Sequence, residues 1–167
     1  MREENKNEFN LIVSDILSNS KFLELKSDLH HGISRYEHSL RVAKMTYYIS
    51  KYLKLDYERV TRAALLHDFY TDNDTMLYSK EKTLKVHPSI ARENALKYFS
   101  IDAMQENIIE THMFPVTLKL PKYKESYLVS GVDKLVALKE MSCYKTVRQF
   151  GVFVIFIFNM LAIHLNG

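Results

Sequence analysis

Residues 63–68 read Ala-Ala-Leu-Leu-His-Asp, an apolar run that leads directly into a histidine and an aspartate. Asp56 is placed to cap the helix that carries this run, so we expect a buried helix with His67 and Asp68 at its end. A carboxylate beside buried leucines needs a partner, because an unpaired buried charge is costly. Adjacent helical residues point about 100° apart. The side chains of His67 and Asp68 can therefore contact the same bound group only if that group lies between them, or if Asp68 bridges two such groups.

Three helices are predicted before this run. Residues 5–19 carry apolar residues at helical spacing, which indicates an amphipathic helix. Residues 20–29 are predicted to form a second, short helix. Ser34 and Glu37 have the spacing of a capping box, and the helix that they open is expected to run to about residue 53.

The pattern after the run is also helical. The polar residues 69–86 indicate a loop with a short turn of helix. Pro88 suits a first helical turn, so we expect His87 at a helix entrance, with that helix running to about Phe99. Further helices are expected from Asp102 to near His112 and from Lys124 to about Met141, separated by a basic loop.

The composition agrees with a single helical domain over residues 1–167. A length of 167 residues is close to that of one average domain. The apolar fraction of 47% and the charged fraction of 26% exclude a disordered tail, a collagen-like fibre and a disulfide-stapled miniprotein. With only 4 Gly and 3 Pro, the chain has few breaks. We therefore predict an all-α bundle of about seven or eight helices.

Charge and cysteine usage limit the partners and the compartment. The net charge of +3 tolerates a phosphorylated ligand. The basic residues are scattered without an aromatic stripe, so dedicated nucleic-acid binding is not expected. Cys143 is the only cysteine and has no partner for an internal disulfide, which favours a reducing compartment. The charged N-terminus does not have the pattern of a signal peptide, and we predict a cytoplasmic protein.

The C-terminal segment 142–167 is unusually apolar, above all in residues 151–165. Its unbroken apolar stretch is shorter than the roughly 17–25 residues of a spanning helix, and Asn159 and His164 interrupt it. We expect a buried helix or strand, or a contact in a homodimer, rather than a membrane span. A tail anchor is the alternative.

The histidine and aspartate pattern carries the chemistry. Four imidazoles and two carboxylates occur on five predicted segments: His38, His67, Asp68, His87, His112 and Asp133. Asp133 interrupts an apolar helical stripe, and a charge there needs a partner. Imidazoles and carboxylates that meet in a bundle would suit Fe, Mn, Zn, Ni or Co.

At these residues the sequence resembles the HD superfamily of metal-dependent phosphohydrolases, in particular small bacterial single-domain proteins of the HDIG type. The resemblance covers about residues 34–141, with residues 1–33 as additional N-terminal helices. It is carried by the segment around His38, by the His67-Asp68 pair, by His87-Pro88 and by the segments around His112 and Asp133.

The resemblance implies a helical core that holds two divalent metal ions. In such a site His38, His67, Asp68 and Asp133 would hold one ion, and Asp68 would bridge to a second ion held by His87 and His112. A hydroxide between the ions would attack the phosphoester of a nucleotide or a similar small phosphate, because metal ions acidify bound water. Asp68 would thus serve catalysis as well as metal binding.

Cationic residues near these segments are candidate phosphate contacts. Arg35 lies one turn before His38, and Lys134 adjoins Asp133. Lys119, Lys122 and Lys124 make up the basic loop. Many two-metal HD phosphodiesterases carry a Gly-Lys pair shortly after the HD pair, where this chain has Phe69-Tyr70-Thr71-Asp72, so the activities of those groups do not transfer.

Two other functions fit the same residues. Some HD-fold proteins use a similar ligand set with two irons and dioxygen as oxygenases. A non-catalytic binding module, in which metal only holds the fold, is the other alternative. The cationic residues favour a phosphate substrate.

Overall fold

The computed structural model describes residues 3–27, 29–30 and 33–142, and this part of the chain is almost entirely helical. The helices are α1 (Glu3–Ser18), α2 (Ser20–Leu23), α3 (Arg35–Tyr52), α4 (Tyr57–Leu66), α5 (Asp72–Thr75), α6 (Lys80–Tyr98), α7 (Ala103–Thr111) and α8 (124–142), with a 3₁₀ turn at Glu24–Lys26. Two short strands, β1 (Leu29–His30) and β2 (Ile33–Ser34), pair antiparallel. The predicted all-α class is confirmed.

Helix α4 lies at the centre of the bundle. It packs against α1, α3 and α7, and Val60 and all four apolar residues of 63–66 are fully buried. A helix that is covered on several sides has few solvent-exposed positions, which explains why residues 63–66 are all apolar. His67 is the C-cap of α4, so this central helix ends with its histidine inside the protein.

Local capping fixes where three of the helices begin, as predicted. The Ser34 side chain accepts a hydrogen bond from the backbone N–H of Glu37 at the start of α3. Asp56 accepts one from the backbone of Arg59 at the start of α4. Asp102 opens α7 with a complete capping box. Side-chain oxygens at these positions satisfy backbone donors that the helix itself leaves unpaired.

The predicted start of α6 is wrong. The helix begins at Lys80, because the Ser79 side chain accepts a hydrogen bond from the backbone N–H of Lys82 and caps it there. Pro88 consequently lies inside the helix, where it removes one backbone donor. His87 is buried in the body of α6 rather than at its entrance. The predicted loop over 69–86 is therefore shorter, although its short helical turn is present as α5.

The predicted helix over residues 20–29 is also shorter in the structure. It ends at Leu23, continues as the 3₁₀ turn to Lys26 and is followed by the β1–β2 pair, in which Leu29 is opposite Ser34. A hairpin contact satisfies backbone groups that a frayed helix would leave to water.

The apolar C-terminal segment and Cys143 lie outside the described residues, so the predictions for them stay predictions. Within the described ranges up to residue 142, each helix is too short or too polar to cross a bilayer.

Polar contacts dock α1 on the bundle beside its buried apolar face. Arg62 of α4 donates to both carboxylate oxygens of Asp15, at 2.6 and 2.7 Å. Glu8 accepts hydrogen bonds from Lys51, Tyr47 and Tyr57. The hydrogen bond from Lys51, together with those from the two tyrosines, lowers the pKa of Glu8 from 4.5 to about 2.

We predict that Glu8→Gln lowers the free energy of unfolding at pH 7 by about 1 kcal/mol, a value already reduced for solvent screening of this partly exposed group. The pKa of Glu8 is lower in the folded than in the unfolded protein, so its stabilisation is complete above pH 4.5 and is lost as the pH falls toward 2. Urea unfolding of both proteins between pH 2 and 7 measures this. The difference between them should shrink over that interval; a constant difference would contradict the prediction. Glu93→Gln, on the exposed surface of α6, is the matched control.

Candidate metal centre

Five elements bring the six predicted ligands together. His38 comes from α3, His67 and Asp68 from the end of α4, and His87 from the middle of α6. His112 is the C-cap of α7, and Asp133 lies within α8. Three overlapping groups of these residues place one donor atom each within 4.8 Å of the others: His38, His67 and Asp68; His67, His112 and Asp133; and Asp68, His87 and His112. A cavity of about 230 Å³ opens over the cluster.

Backbone carbonyls orient three of the imidazoles. The Nδ1 atom of each ring lies 2.7 to 3.0 Å from a carbonyl oxygen one turn earlier in the chain: His67 from Ala64, His87 from Thr83 and His112 from Ile109. A carbonyl only accepts, so Nδ1 carries the proton and donates. In each neutral ring the lone pair is then on Nε2. The backbone of α4, α6 and α7 thereby directs three basic nitrogen atoms at the same cluster.

His87 and His112 form one half of the cluster with Asp68. Their Nε2 atoms are 3.0 Å apart, and they lie 3.3 and 3.5 Å from Oδ1 of Asp68. Two lone pairs at 3.0 Å repel unless a proton or another cation stands between or beside them. Oδ1 of Asp68 is itself buried and makes no hydrogen bond to any described residue.

His38, His67 and Asp133 form the other half. Nε2 of His38 donates to Oδ1 of Asp133 at 3.0 Å. Nε2 of His67 lies 3.6 Å from that same oxygen and 3.6 Å from Oδ2 of Asp68. It is buried and without a hydrogen-bond partner among the described residues. The two oxygens of Asp68 thus face different halves of the cluster, which is the arrangement of a bridging carboxylate.

Glu140 is a member of the site that the sequence analysis did not identify. Its Oε2 accepts a hydrogen bond from Nδ1 of His38 at 2.8 Å, and its Oε1 accepts one from Arg41 at 3.0 Å. Glu140 lies seven residues after Asp133 and therefore on the same face of α8. Two carboxylates with that spacing on one helix were the available signal. Glu140 takes the orienting position at His38 that a backbone carbonyl takes at the other three rings.

The electrostatics of the cluster favour charged carboxylates. Burial acts to raise the pKa of Asp68, but the neighbouring imidazoles outweigh it and hold that pKa well below its usual range. The pKa of Asp133 is lowered in the same way beside His38 and His67. Burial acts to lower the pKa of His38, but its hydrogen bonds to Asp133 and Glu140 raise it from 6.5 to about 10. The cluster therefore places two charged carboxylates, Asp68 and Asp133, beside the imidazole nitrogens.

Arg35, one turn before His38 on α3, lies in the wall of the cavity; its predicted contact with a phosphate stays a prediction. It is 7% exposed, it stacks on the ring of Tyr70 with 4.2 Å between the guanidinium carbon and the ring centroid, and it donates to Oδ1 of Asp72 at 2.7 Å. An aromatic face and a carboxylate hold the guanidinium in one orientation. Asp72 is a largely exposed side chain, at 70%, so the ion pair is open to solvent on that side.

Lys134 is oriented differently. Its amine donates to the carbonyl of His112 at 2.9 Å and to the carbonyl and hydroxyl of Ser130 at 3.1 and 2.9 Å. These contacts use all three donors of an ammonium group and tie α8 to the end of α7. Of the loop lysines, Lys119 pairs with Glu110 at 2.7 Å. The predicted phosphate contacts of Lys134 and of Lys119, Lys122 and Lys124 stay predictions.

The residues present fit divalent metal ions. Imidazole nitrogen and carboxylate oxygen are the donors that Zn, Fe, Ni, Co and Mn accept. Each histidine also donates its other N–H to an oxygen, the usual support of a metal-bound imidazole. Two buried atoms of this cluster, Nε2 of His67 and Oδ1 of Asp68, have no hydrogen-bond partner among the described residues, and both are satisfied if a cation binds here. The number of ions and their identity stay predictions.

Comparison with known proteins assigns the family. The family described as HD domain matches residues 35–138, which include all six converging residues. No curated protein and no solved structure matches the chain. The matched range is more than half of the chain and lies within the span 34–141 that the sequence resemblance indicated. The chain therefore belongs to the HD domain family.

Proposed function

We propose that this protein is a metal-dependent phosphohydrolase that cleaves a phosphoester of a nucleotide or a similar small phosphate. The observation that carries the proposal is the convergence of four Nε2 atoms on two anionic carboxylates beneath an open cavity. Membership of the HD domain family implies a metal-dependent hydrolase superfamily. In the proposed site His38, His67, Asp68 and Asp133 hold one ion, and Asp68, His87 and His112 hold a second.

Metal ions bound here would acidify water and neutralise charge on a phosphoryl group. The protein groups supply the rest of the site. Asp68 keeps the two halves at a fixed separation through its two oxygens. The carbonyls behind His67, His87 and His112 prevent those rings from turning, so the site needs little reorganisation when it binds metal and substrate.

Arg35 supplies the substrate contact in this proposal. A guanidinium donates two parallel hydrogen bonds to a phosphate and remains charged at every relevant pH. Its neighbours Tyr70 and Asp72 hold it in the cavity wall while leaving the cavity itself open. An arginine in this position favours an anionic substrate such as a phosphoester. It therefore supports a phosphohydrolase over the alternative of an oxygenase acting with two irons. An open cavity over the ligands likewise supports catalysis over a purely structural metal site.

We predict that Asp68→Asn reduces bound metal from about two ions per chain to one or none and abolishes phosphoester hydrolysis. The amide removes the negative charge and one of the two bridging oxygens without changing the size of the side chain. Elemental analysis of protein purified without affinity metal, before and after adding metal back, measures the first effect. Release of phosphate or nitrophenol from nitrophenyl phosphates measures the second. Glu93→Gln, which also replaces one carboxylate by an amide but at an exposed position on α6, is the control. Full metal content and normal turnover in Asp68→Asn would remove Asp68 from the site.

We predict that Glu140→Gln weakens metal binding about 10- to 100-fold, the usual effect of losing a carboxylate that supports a metal-bound histidine. The glutamine keeps the shape and can still accept from Nδ1 of His38 through its amide oxygen, but it lacks the negative charge that strengthens this hydrogen bond and makes the imidazole a better ligand. Competitive titration of metal-free protein against a chelator of known affinity measures this directly. Position 140 is partly buried, so the thermal unfolding midpoint of each metal-free protein serves as the check on folding. Unchanged metal affinity would show that the Glu140 contact does not support His38.

We predict that Arg35→Gln lowers kcat/KM for a phosphomonoester about 10- to 100-fold, the range for a lost hydrogen bond to a charged group, while metal content stays the same. Arg35→Lys should recover part of the loss, because it restores the charge but not the paired donors. Steady-state kinetics and elemental analysis on the same samples separate the two effects. Unchanged kinetics would make Arg35 a structural residue that only packs on Tyr70.

A further inference from the structure

A second cavity, of about 400 Å³, opens between α3 and α8, and we call it the α3–α8 groove. Its floor is apolar and is made by Ile33, Met45, Tyr48 and Val136. Met45 and Tyr48 are each 37% exposed, so an aromatic ring and a thioether face solvent there. Such a surface suits a planar apolar group, which can stack on the ring and cover the methionine.

The α3–α8 groove begins at the mouth of the metal cavity. Ile33 and Glu140 line both cavities. Along α3, residues 38, 41, 45 and 48 follow one another at intervals of three or four and so lie on one face. The face that contributes His38 to the metal centre therefore continues as the wall of the groove. Lys44 is six residues beyond His38, or about 9 Å further along the helix.

The rim of the groove is basic. Lys44 and Lys139 stand on its two sides, and neither side chain makes a hydrogen bond or an ion pair with a described residue. Arg41, also on the rim, is half exposed and uses one nitrogen on Glu140. A phosphate or carboxylate between these side chains would meet three cations, whereas a neutral ligand would leave them unused. Surface cations with no partner among the described residues, beside an apolar floor, fit a ligand that is both planar and anionic.

We infer that the α3–α8 groove binds the leaving group of the substrate and that this leaving group is a nucleoside-like body carrying a second phosphate. The inference rests on the proposed function, because it places the scissile phosphate in the metal cavity. In the reaction a water oxygen forms the new P–O bond, the P–O bond to the leaving group breaks, and the leaving oxygen takes up a proton. The apolar body lies on Tyr48 and Met45, and the second phosphate lies between Lys44 and Lys139.

Two substrates with the same scissile bond test this inference. Adenosine 5′-phosphate and 5′-phosphorylated diadenylate both release inorganic phosphate from a 5′ position, and only the second carries a further phosphate and base. The full-length protein with metal should have a KM for the diadenylate at least about tenfold lower. Lys44→Gln and Lys139→Gln should each raise that KM about fivefold, the scale of one exposed charge interaction, and leave the KM of adenosine 5′-phosphate unchanged. Lys6→Gln on α1, which also removes one exposed charge, is the matched control and should change neither value.

A binding measurement separates this inference from the proposed hydrolysis. Equilibrium dialysis of metal-free protein with each ligand should give tighter binding of the diadenylate, and this preference should be lost in the two groove variants. If neither compound is hydrolysed but the preference and its loss are seen, the groove is upheld as a binding site for a nucleoside that carries a second phosphate, whereas the phosphohydrolase proposal and the leaving-group role of the groove fail. If adenosine 5′-phosphate is hydrolysed and both ligands have equal KM and equal affinity, the hydrolase is upheld and the inference about the groove is overturned.

Discussion

The burial of the Asp68 carboxylate among histidines is the constraint around which the protein is organised. A buried carboxylate is stable only when positive or hydrogen-donating groups surround it, and those groups come from the ends or the middle of α4, α6 and α7. One side chain thus contacts residues from three different helices. The central position of α4, with its fully buried apolar run, places that side chain where all of them can reach it.

Two kinds of hydrogen-bond acceptor orient the imidazoles, and only one of them can be removed by a side-chain substitution. Backbone carbonyls hold His67, His87 and His112, so their orientation depends only on helix geometry. A side chain, Glu140, holds His38. The same glutamate contacts Arg41 and borders both the metal cavity and the α3–α8 groove. Metal support and the proposed recognition of a leaving group therefore meet at one residue of α8.

The substrate side of the site shows how much a charged residue depends on its neighbours. Arg35 and Lys134 have equal standing in the sequence, since each is close to a predicted ligand. In the structure Arg35 stacks on Tyr70 in the cavity wall, whereas the amine of Lys134 is held by Ser130 and His112. Of these two cations, only Arg35 lines the cavity in which a phosphate is proposed to bind.

Features that depend on neighbours in the chain could be read from the amino acids alone. Side-chain caps at Ser34, Asp56 and Asp102 fixed helix starts because capping is a contact over three residues. The family resemblance implied the six candidate ligands, and the structure places them in three overlapping groups. Pro88 was misleading because α6 starts eight residues before it, at Lys80, and the packing of α6 on α7 and α4 offsets the cost of a proline inside a helix. The support of His38 by Glu140, the separate orientations of Arg35 and Lys134, and the groove between α3 and α8 came only with the fold. Each arises between residues far apart in sequence, and no local preference specifies the packing that brings them together.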